Sequence, residues 1–188
     1  MASNTVSSDG TILRDARSRY RAAKREESGA HGAFEAETKR SGEAPRSEVE
    51  VSSGSAPADI ASALGVDAGA EVVVRARRMF AGDRLVQLAT SYIPSFVAQA
   101  APAVAELDTG VGGIISRMSE AGLAQSSVVE DVEQRPATEE QAAALGVQAG
   151  EHLLTITHTG YTEDGRVVEV TRHTLGSGWR LRYEVPLG

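Results

Sequence analysis

Two predicted strands carry the side chains that are best suited to binding a polar ligand. Arg75 and Arg77 are two positions apart, so both side chains point to the same face of their strand. Glu169, Thr171 and His173 share a face of a second strand by the same alternation. If the strands meet, an arginine and a glutamate can hold a ligand through charge-assisted hydrogen bonds. A cross-strand salt bridge on a solvated face explains the same residues, and both interpretations stay open.

The histidines raise the question of a metal site. The chain has four, and His158 and His173 fall on strands predicted to pair as a hairpin. Glu169 would be the third ligand that a metal ion needs. We favour the simpler interpretation, two histidines on one sheet face, and predict neither a metal site nor a cofactor.

The sequence lacks the familiar catalytic motifs. It contains no G-x-S-x-G, Walker A loop, H-E-x-x-H or dinucleotide-binding G-x-G-x-x-G, and no cysteine. Residues 110–113, Gly-Val-Gly-Gly, precede a predicted helix and could present amide groups to an anion. Because no βαβ unit surrounds them, a plain loop is the favoured interpretation, and we predict no catalytic residue.

The elements that position these side chains occur twice in the chain. Residues 61–69 read ASALGVDAG, and residues 142–150 read AAALGVQAG. Each copy continues with a strand, a turn and a second strand, and the second turn is longer by one residue. The repeat predicts two halves packed about a pseudo-twofold axis. A cleft between the halves is then the expected ligand site.

The order of elements predicts an α+β fold with a central, mostly antiparallel sheet flanked by helices. Strands outnumber helices, and helices follow hairpins rather than joining parallel strands. The predicted strands span residues 46–53, 71–80, 84–92, 127–135, 152–161, 166–174 and 179–185. The predicted helices span residues 16–27, 33–40, 57–64, 95–104 and 114–121, and another begins at Thr138. Residues 1–45 are predicted to be a polar connector, partly helical or disordered, and residues 46–188 the folded domain.

Composition limits the core and the partners. Aromatic residues make up only 4% of the chain, so the core must consist mostly of aliphatic side chains. The net charge is −7, yet residues 14–25 hold six basic side chains. This run suggests either a nucleic-acid contact or a solvated helix, and the acidic remainder of the chain favours the helix. With no apolar run of roughly 20 residues and no signal peptide, we predict no membrane contact and a cytoplasmic location.

Several motifs together resemble one family. They are S-Y-I-P at residues 91–94, E-x-V-E-Q-R-P-A-T-E-E-Q-A-A-x-L-G-V at 130–147, G-E-H-L-L at 150–154 and Y-T-E-D-G-R-V-V-E at 161–169. The chain resembles the UTRA effector-binding domain of GntR-type transcriptional regulators of the HutC subfamily, over roughly residues 43–185. Residues 11–45 resemble the connector that follows the winged helix-turn-helix in such regulators.

The resemblance implies a chorismate-lyase-like fold, a homodimer and a small-molecule sensor of a repressor rather than an enzyme. DNA contact would be made through an N-terminal domain that this chain does not contain. The chain is then either a C-terminal fragment, which we favour, or a stand-alone sensor. A chorismate-lyase-type enzyme and a purely structural dimerisation module are the alternatives.

The resemblance also implies the site residues. In sugar-phosphate-sensing members a strand carries two inward arginines, and alignment on S-Y-I-P places Arg77 and Met79 there. The helix that offers Ser and Tyr in those members has apolar residues here, and the glutamate is kept. The predicted effector-binding residues are Arg77, Met79, Ala89, Gly113, Ile115, Glu169 and Leu175. We therefore expect a mainly apolar effector with one anionic or hydrogen-bonding group, and not a sugar phosphate.

Overall fold

Eight strands, within the part of the chain that the computed structural model describes, form two sheets. The described part is residues 11–185 and residue 187. The strands are β1 (Ile12–Asp15), β2 (Pro45–Ser55), β3 (Glu71–Ala81), β4 (Arg84–Pro94), β5 (Ser127–Pro136), β6 (His152–Tyr161), β7 (Val167–Leu175) and β8 (Trp179–Arg182). Six form an antiparallel sheet in the order β2-β3-β4-β7-β6-β5, and β1 pairs with β8 in parallel. The predicted α+β class with a mostly antiparallel sheet is confirmed.

Short helices lie on both faces of the large sheet. They are α1 (Ala16–Arg19), α2 (Ala22–Arg25), α3 (Ala33–Arg40), α4 (Ala58–Leu64), α5 (Ser95–Ala100), α6 (Gly113–Glu120) and α7 (Glu139–Leu145). Two predicted helices are shorter than expected. The predicted helix over residues 16–27 is interrupted at Arg21, whose backbone is extended. The predicted helix over 95–104 leaves the α conformation at Ala101, because Pro102 crowds the residue before it.

The predicted pseudo-twofold arrangement of two halves is confirmed by the sheet. Strands β2, β3 and β4 with α4 form one half, and β5, β6 and β7 with α7 form the other, so the strand order is symmetric about the β4–β7 pair. Thr90 pairs with Arg172 at the centre of that pair. The flanking pairs are Ser91 with Thr171 and Ala89 with His173.

One sheet face is covered by the two repeated helices. Helix α4 packs Ile60 and Leu64 against Val72 and Val170. Helix α7 places Leu145 in a separate apolar cluster, which also contains Phe80, Leu85 and Leu153. Both helices end in a glycine with positive φ, Gly65 at 67° and Gly146 at 69°, as a left-handed C-terminal cap requires.

The opposite sheet face is covered by α5, α6 and the N-terminal segment, which we define as residues 11–40. Helix α6 buries Ile114 and Met118 against Val97 and Ile93. The N-terminal segment buries Ile12 completely, and its strand β1 forms the small two-stranded sheet with β8. The predicted connector is thus partly helical where it is described, and its residues 1–10 lie outside the described part.

Strand β8 is shorter than the sequence predicted. Strand β8 ends at Arg182, whereas the sequence predicted a strand to residue 185, because β1 offers partners for only four residues. None of the helices in residues 11–185 has the length and apolar character needed to cross a membrane.

Candidate functional site

A cavity of about 340 Å³ lies between the large sheet and the N-terminal segment, and we call it the first cavity. Strands β2, β3, β6 and β7 form its floor, and α6 and the N-terminal segment form its walls. The floor side chains are Val49, Arg75, Arg77, Met79, His158, Glu169, Thr171 and His173. The walls include Arg19, Tyr20, Arg25, Phe34, Leu107, Gly112, Gly113, Ile114 and Ile115.

Most of the predicted effector-binding residues come together here. Arg77, Met79, Gly113, Ile115 and Glu169 line the first cavity. The shared face of Glu169, Thr171 and His173 also points into it, as the strand alternation predicted.

Two predicted residues lie apart from the lining. Ala89 is buried between Arg77 and His173 on the neighbouring strands, and its short side chain packs in the apolar cluster with Ile12. Leu175 is 1% exposed, at the end of β7 opposite Gln87. Their contact with an effector stays a prediction.

Glu169 accepts three hydrogen bonds on the cavity floor. Its carboxylate accepts from the Ser91 hydroxyl at 3.0 Å, from Gln125 Nε2 at 3.2 Å and from the Thr171 hydroxyl. Burial alone would raise the pKa of Glu169, but His158, the Thr171 hydroxyl and nearby Arg77 outweigh it and hold that pKa below its ordinary value. Glu169 is therefore an ionised carboxylate whose acceptor capacity is largely used within the protein.

Arg77 reaches this carboxylate through one hydroxyl. Its guanidinium donates to Ser91 Oγ, which in turn donates to Glu169. Burial lowers the pKa of Arg77 to about 10, because the cation is withdrawn from water, although Glu169 opposes the shift. Its Nε is buried without a hydrogen-bond acceptor in the described part of the chain.

Arg75 differs from Arg77 in that its partners are backbone carbonyls, whereas the hydroxyl that accepts from Arg77 itself donates to Glu169. The Arg75 guanidinium donates to the backbone carbonyl oxygens of Val104 at 2.9 Å, Leu107 at 3.3 Å and Glu106. Within the described residues no carboxylate accepts a hydrogen bond from it. Arg75 is 3% exposed, and burial lowers its pKa with only partial compensation from Glu169.

The N-terminal segment adds two buried arginines that the sequence analysis did not place in the site. Arg19 forms an ion pair with buried Glu37. Arg25 donates to the Gly112 carbonyl at 3.1 Å and to Ser116 Oγ at 3.0 Å, and thereby ties the segment to the first turn of α6.

The expectation of one arginine among apolar side chains was therefore wrong, because more arginines line the first cavity and the lining is more polar than predicted. Four buried or half-buried arginines border the first cavity, and a fifth, Arg46, is exposed at its edge. The expectation that residues 14–25 form a solvated helix also fails for Arg14, Arg19 and Arg25, which are buried. These residues had no apolar periodicity to reveal their burial, so only the basic run itself pointed to them.

Both histidines of the predicted hairpin pair are buried. Burial lowers the pKa of His158 and lowers that of His173 well below 6.5, so both are neutral near pH 7. The ring of Tyr20 stacks on His158 with centroids 5.3 Å apart, and its hydroxyl contacts His158 Nδ1 at 3.1 Å. Across residues 11–185, no three or more acidic, histidine or cysteine side chains are grouped as metal ligands.

The chain belongs to the UTRA domain family, whose model matches residues 40–176. A relative, the HTH-type transcriptional regulator Rv0792c of Mycobacterium tuberculosis, is 31% identical over 121 residues. That match covers 62% of this chain and 43% of the relative, so the chain spans less than half the length of the relative that it matches.

Solved structures with the same fold are transcriptional regulators. One, described as a GntR-family regulator, has a TM-score of 0.78 at 25% identity, over 96% of this chain and 72% of its own. A second, a regulator from Streptomyces coelicolor, has a TM-score of 0.60 at 30% identity, over 76% of this chain and 91% of its own. The predicted chorismate-lyase-like fold is confirmed, and the chain is an effector-sensing regulatory domain rather than an enzyme.

Proposed function

We propose that this chain is the small-molecule sensor of a bacterial repressor of the GntR type, HutC subfamily, and that the effector binds in the first cavity. The observation that carries the proposal is the buried Arg75, a cation without a hydrogen-bonded carboxylate beside a cavity. A buried charge is costly unless an opposite charge compensates it. An anionic ligand would supply that charge.

The charges around the first cavity favour one anionic group on the effector. Arg19 is paired with Glu37, and Arg77 is compensated by Glu169 through Ser91. Arg25 stands in the same relation to Glu26, because Ser116 Oγ accepts from Arg25 and donates to Glu26 at 2.7 Å. Arg75 is left over, and a single negative charge on the effector balances it.

The apolar part of the lining supports an effector with a substantial apolar portion. Val49, Met79, Phe34 and Ile115 meet the cavity, and Ile114 lies beside them. A volume of about 340 Å³ is at the lower end of small-molecule sites in proteins. The effector that fits these features best is a small organic anion with one carboxylate-sized charge.

The N-terminal segment gives the effector a way to influence the rest of a regulator. In the family, the connector leads to the DNA-binding domain, which would lie outside these 188 residues. Tyr20 and Arg25 line the cavity, so an effector contacts the connector directly. An effector that binds one connector arrangement more tightly than another shifts the balance between them, typically by 1–3 kcal/mol. We further propose a homodimer that acts in the cytoplasm.

A thermal-shift screen tests the proposal. The purified chain is screened with millimolar sugar phosphates, amino-acid catabolites and apolar carboxylates, and Arg75→Ala, Arg77→Ala and Arg78→Ala are screened in parallel. Arg78 is the matched control, because it lies next to Arg77 on the opposite, exposed face. A ligand at one hundred times its Kd adds about 2.7 kcal/mol of stability.

We expect an apolar carboxylate to stabilise the wild type and Arg78→Ala but not the other two variants. Failure of every ligand class would contradict sensing by this cavity and favour a dimerisation module. Stabilisation by a sugar phosphate that Arg77→Ala abolishes would retain the sensor but contradict the mainly apolar effector.

A further inference from the structure

A second cavity, of about 650 Å³, lies beside the first under the same N-terminal segment. Its lining comes from α1, α2 and the residues between them, from α6, from β5 and the loop before it, and from the chain after β8. These residues are Ala16, Tyr20, Arg21, Ala22, Arg25, Ile115, Ser119, Ala124, Gln125, Ser126, Ser127, Val128, Glu130 and Tyr183. Tyr20, Arg25 and Ile115 line both cavities, so a wall one side chain thick separates the two spaces.

The residues of this wall differ in the number of interactions that hold their side chains. Arg25 makes three hydrogen bonds, to the Gly112 carbonyl, the Tyr20 carbonyl and Ser116 Oγ. The Tyr20 side chain is held by the contacts of its hydroxyl with Glu130 and His158 Nδ1 and by the stacking of its ring on His158.

The Tyr20 ring can turn aside without leaving a buried carboxylate unpaired. Glu130 also accepts from Arg14 and, at 3.2 Å, from the Tyr183 hydroxyl, so it keeps two partners. Ile115, the remaining wall residue, has no polar group to satisfy. Opening the wall at Tyr20 therefore breaks its hydroxyl contact and ring stacking with His158 but leaves Glu130 paired with Arg14 and Tyr183.

The second cavity has a different chemistry from the first. Its acidic residue, Glu130, is already engaged by Arg14, Tyr20 and Tyr183. Its buried cation, Arg25, is compensated by Glu26 through Ser116. Most of the remaining lining is small or apolar, including Ala16, Ala22, Ala124 and Val128, and its uncharged polar groups are serines and Gln125, with Arg21 at the exposed rim. The space suits an uncharged chain and offers no unpaired buried charge for a second anion.

We propose that the two cavities are compartments of one effector site and that the effector is an elongated organic monoanion. Its carboxylate lies at Arg75 and Arg77 in the first cavity, and its uncharged body passes Tyr20 into the second. This inference rests on the proposed function of the first cavity. It adds the length of the effector and a role for Tyr20 as the residue that must move when a long effector binds.

Calorimetric titration with straight-chain carboxylates tests the proposal. Acetate, butyrate, hexanoate, octanoate and decanoate are titrated into the wild type, Ala22→Trp, Ala124→Trp and Ala23→Trp. Ala22 and Ala124 line the second cavity and are exposed, so an indole there fills the space without disturbing the core. Ala23 is the matched control, because it is exposed on the same helix and lies off the lining.

In the wild type and Ala23→Trp we expect Kd to fall about fourfold for each added methylene, from hexanoate to decanoate. Ala22→Trp and Ala124→Trp should bind butyrate as the wild type does but bind decanoate at least tenfold more weakly. Tyr20→Phe, which removes the hydroxyl that holds the wall, should bind decanoate more tightly than the wild type and butyrate equally well.

Three results would overturn the inference. If decanoate binds the wild type and the two filled variants equally, the second cavity is not part of the site, although the first remains a sensor. If no carboxylate binds but a ligand of another class stabilises the chain in the thermal-shift screen, this effector class is wrong and the sensing function stands. If no ligand of any class binds, the proposed function itself fails.

Discussion

Charged side chains hold the N-terminal segment in place together with the apolar Ile12 and Phe34, which pack on the sheet. Arg14 is 2% exposed and pairs with Glu130 on β5, and Arg19 pairs with buried Glu37. A buried ion pair adds little net stability when it forms, but removing one partner leaves an unpaired buried charge. Single substitutions should therefore have large effects in this segment.

Arg14→Met is expected to lower the free energy of unfolding by about 3–5 kcal/mol, because Glu130 loses its cationic partner inside the protein. Arg17 lies three residues after Arg14 and forms an exposed ion pair with Glu184, so Arg17→Met should leave the free energy of unfolding nearly unchanged. Urea denaturation of both variants measures the difference. Equal losses would show that the Arg14 pair is as solvated as the surface pair.

The buried histidines predict how stability depends on pH. His158 and His173 have pKa values below 6.5 in the folded chain, so the unfolded chain takes up protons that the folded chain refuses. Their contribution to stability is complete above pH 6.5 and is lost as the pH falls below it, by about 1.4 kcal/mol per histidine for each pH unit. The lowered pKa of Glu169 continues the loss at lower pH.

Melting temperatures between pH 7.5 and 5.5 check this expectation. The double variant His158→Gln/His173→Gln should show a flatter decline towards low pH than the wild type. His31 and His152 are exposed, so His31→Gln/His152→Gln should keep the wild-type slope. The opposite pattern would mean that the exposed pair governs the acid response.

At the scale of elements, the two halves are equivalent in topology but differ in their helix starts. Thr138 caps α7 with a complete capping box, in which Thr138 and Gln141 bond to each other's backbone amides. Pro57 occupies the matching position before α4, and no side chain caps that helix. Helix α7 therefore depends on a single threonine for its first turn.

Thr138→Ala is expected to destabilise the chain by about 1 kcal/mol, because the backbone N–H of Gln141 loses its acceptor. Ser62→Ala, on the exposed surface of α4, should change stability by less than about 0.5 kcal/mol. Chemical denaturation monitored by circular dichroism distinguishes the two. Equal effects would indicate that tertiary packing alone holds α7 in place.

The sequence predicted the large sheet well because its information there is local. Strands β3 and β4 are rich in buried apolar residues such as Val72, Val86 and Ile93, and the turns at Gly82 and Gly165 each carry a glycine. Strand β1 could not be predicted in this way. Its partner β8 lies more than 160 residues away, and the burial of Arg14 leaves no hydrophobic pattern in the letters.

The same distinction between local and long-range information applies to the residues of the candidate site. The family motif placed Arg77 and Glu169 on the cavity floor, since a strand alignment carries over the direction of each side chain. Tyr20, Arg25 and Arg19 reach the cavity only through the tertiary path of the N-terminal segment. No spacing within residues 11–40 specifies that path, so the polarity of the walls was not foreseen.

At the scale of the whole molecule, the N-terminal segment and the sheet together enclose the first cavity. Gly112 donates its amide to the Ala30 carbonyl at 2.9 Å, and His31 pairs with Asp108 at 3.0 Å, so the segment is fastened to the loop before α6. A ligand in the first cavity contacts both the N-terminal segment and the loop before α6. We expect effector binding to change the connector through these contacts.

Hydrogen–deuterium exchange tests that expectation most directly. The chain is compared with and without the anion that gives the largest thermal shift in the screen, at a concentration well above its Kd. We predict slower exchange in residues 16–35 and 107–115, with added protection in β3 and β7. Protection confined to surfaces away from these segments would contradict the account, as would the failure of every screened anion to slow exchange there.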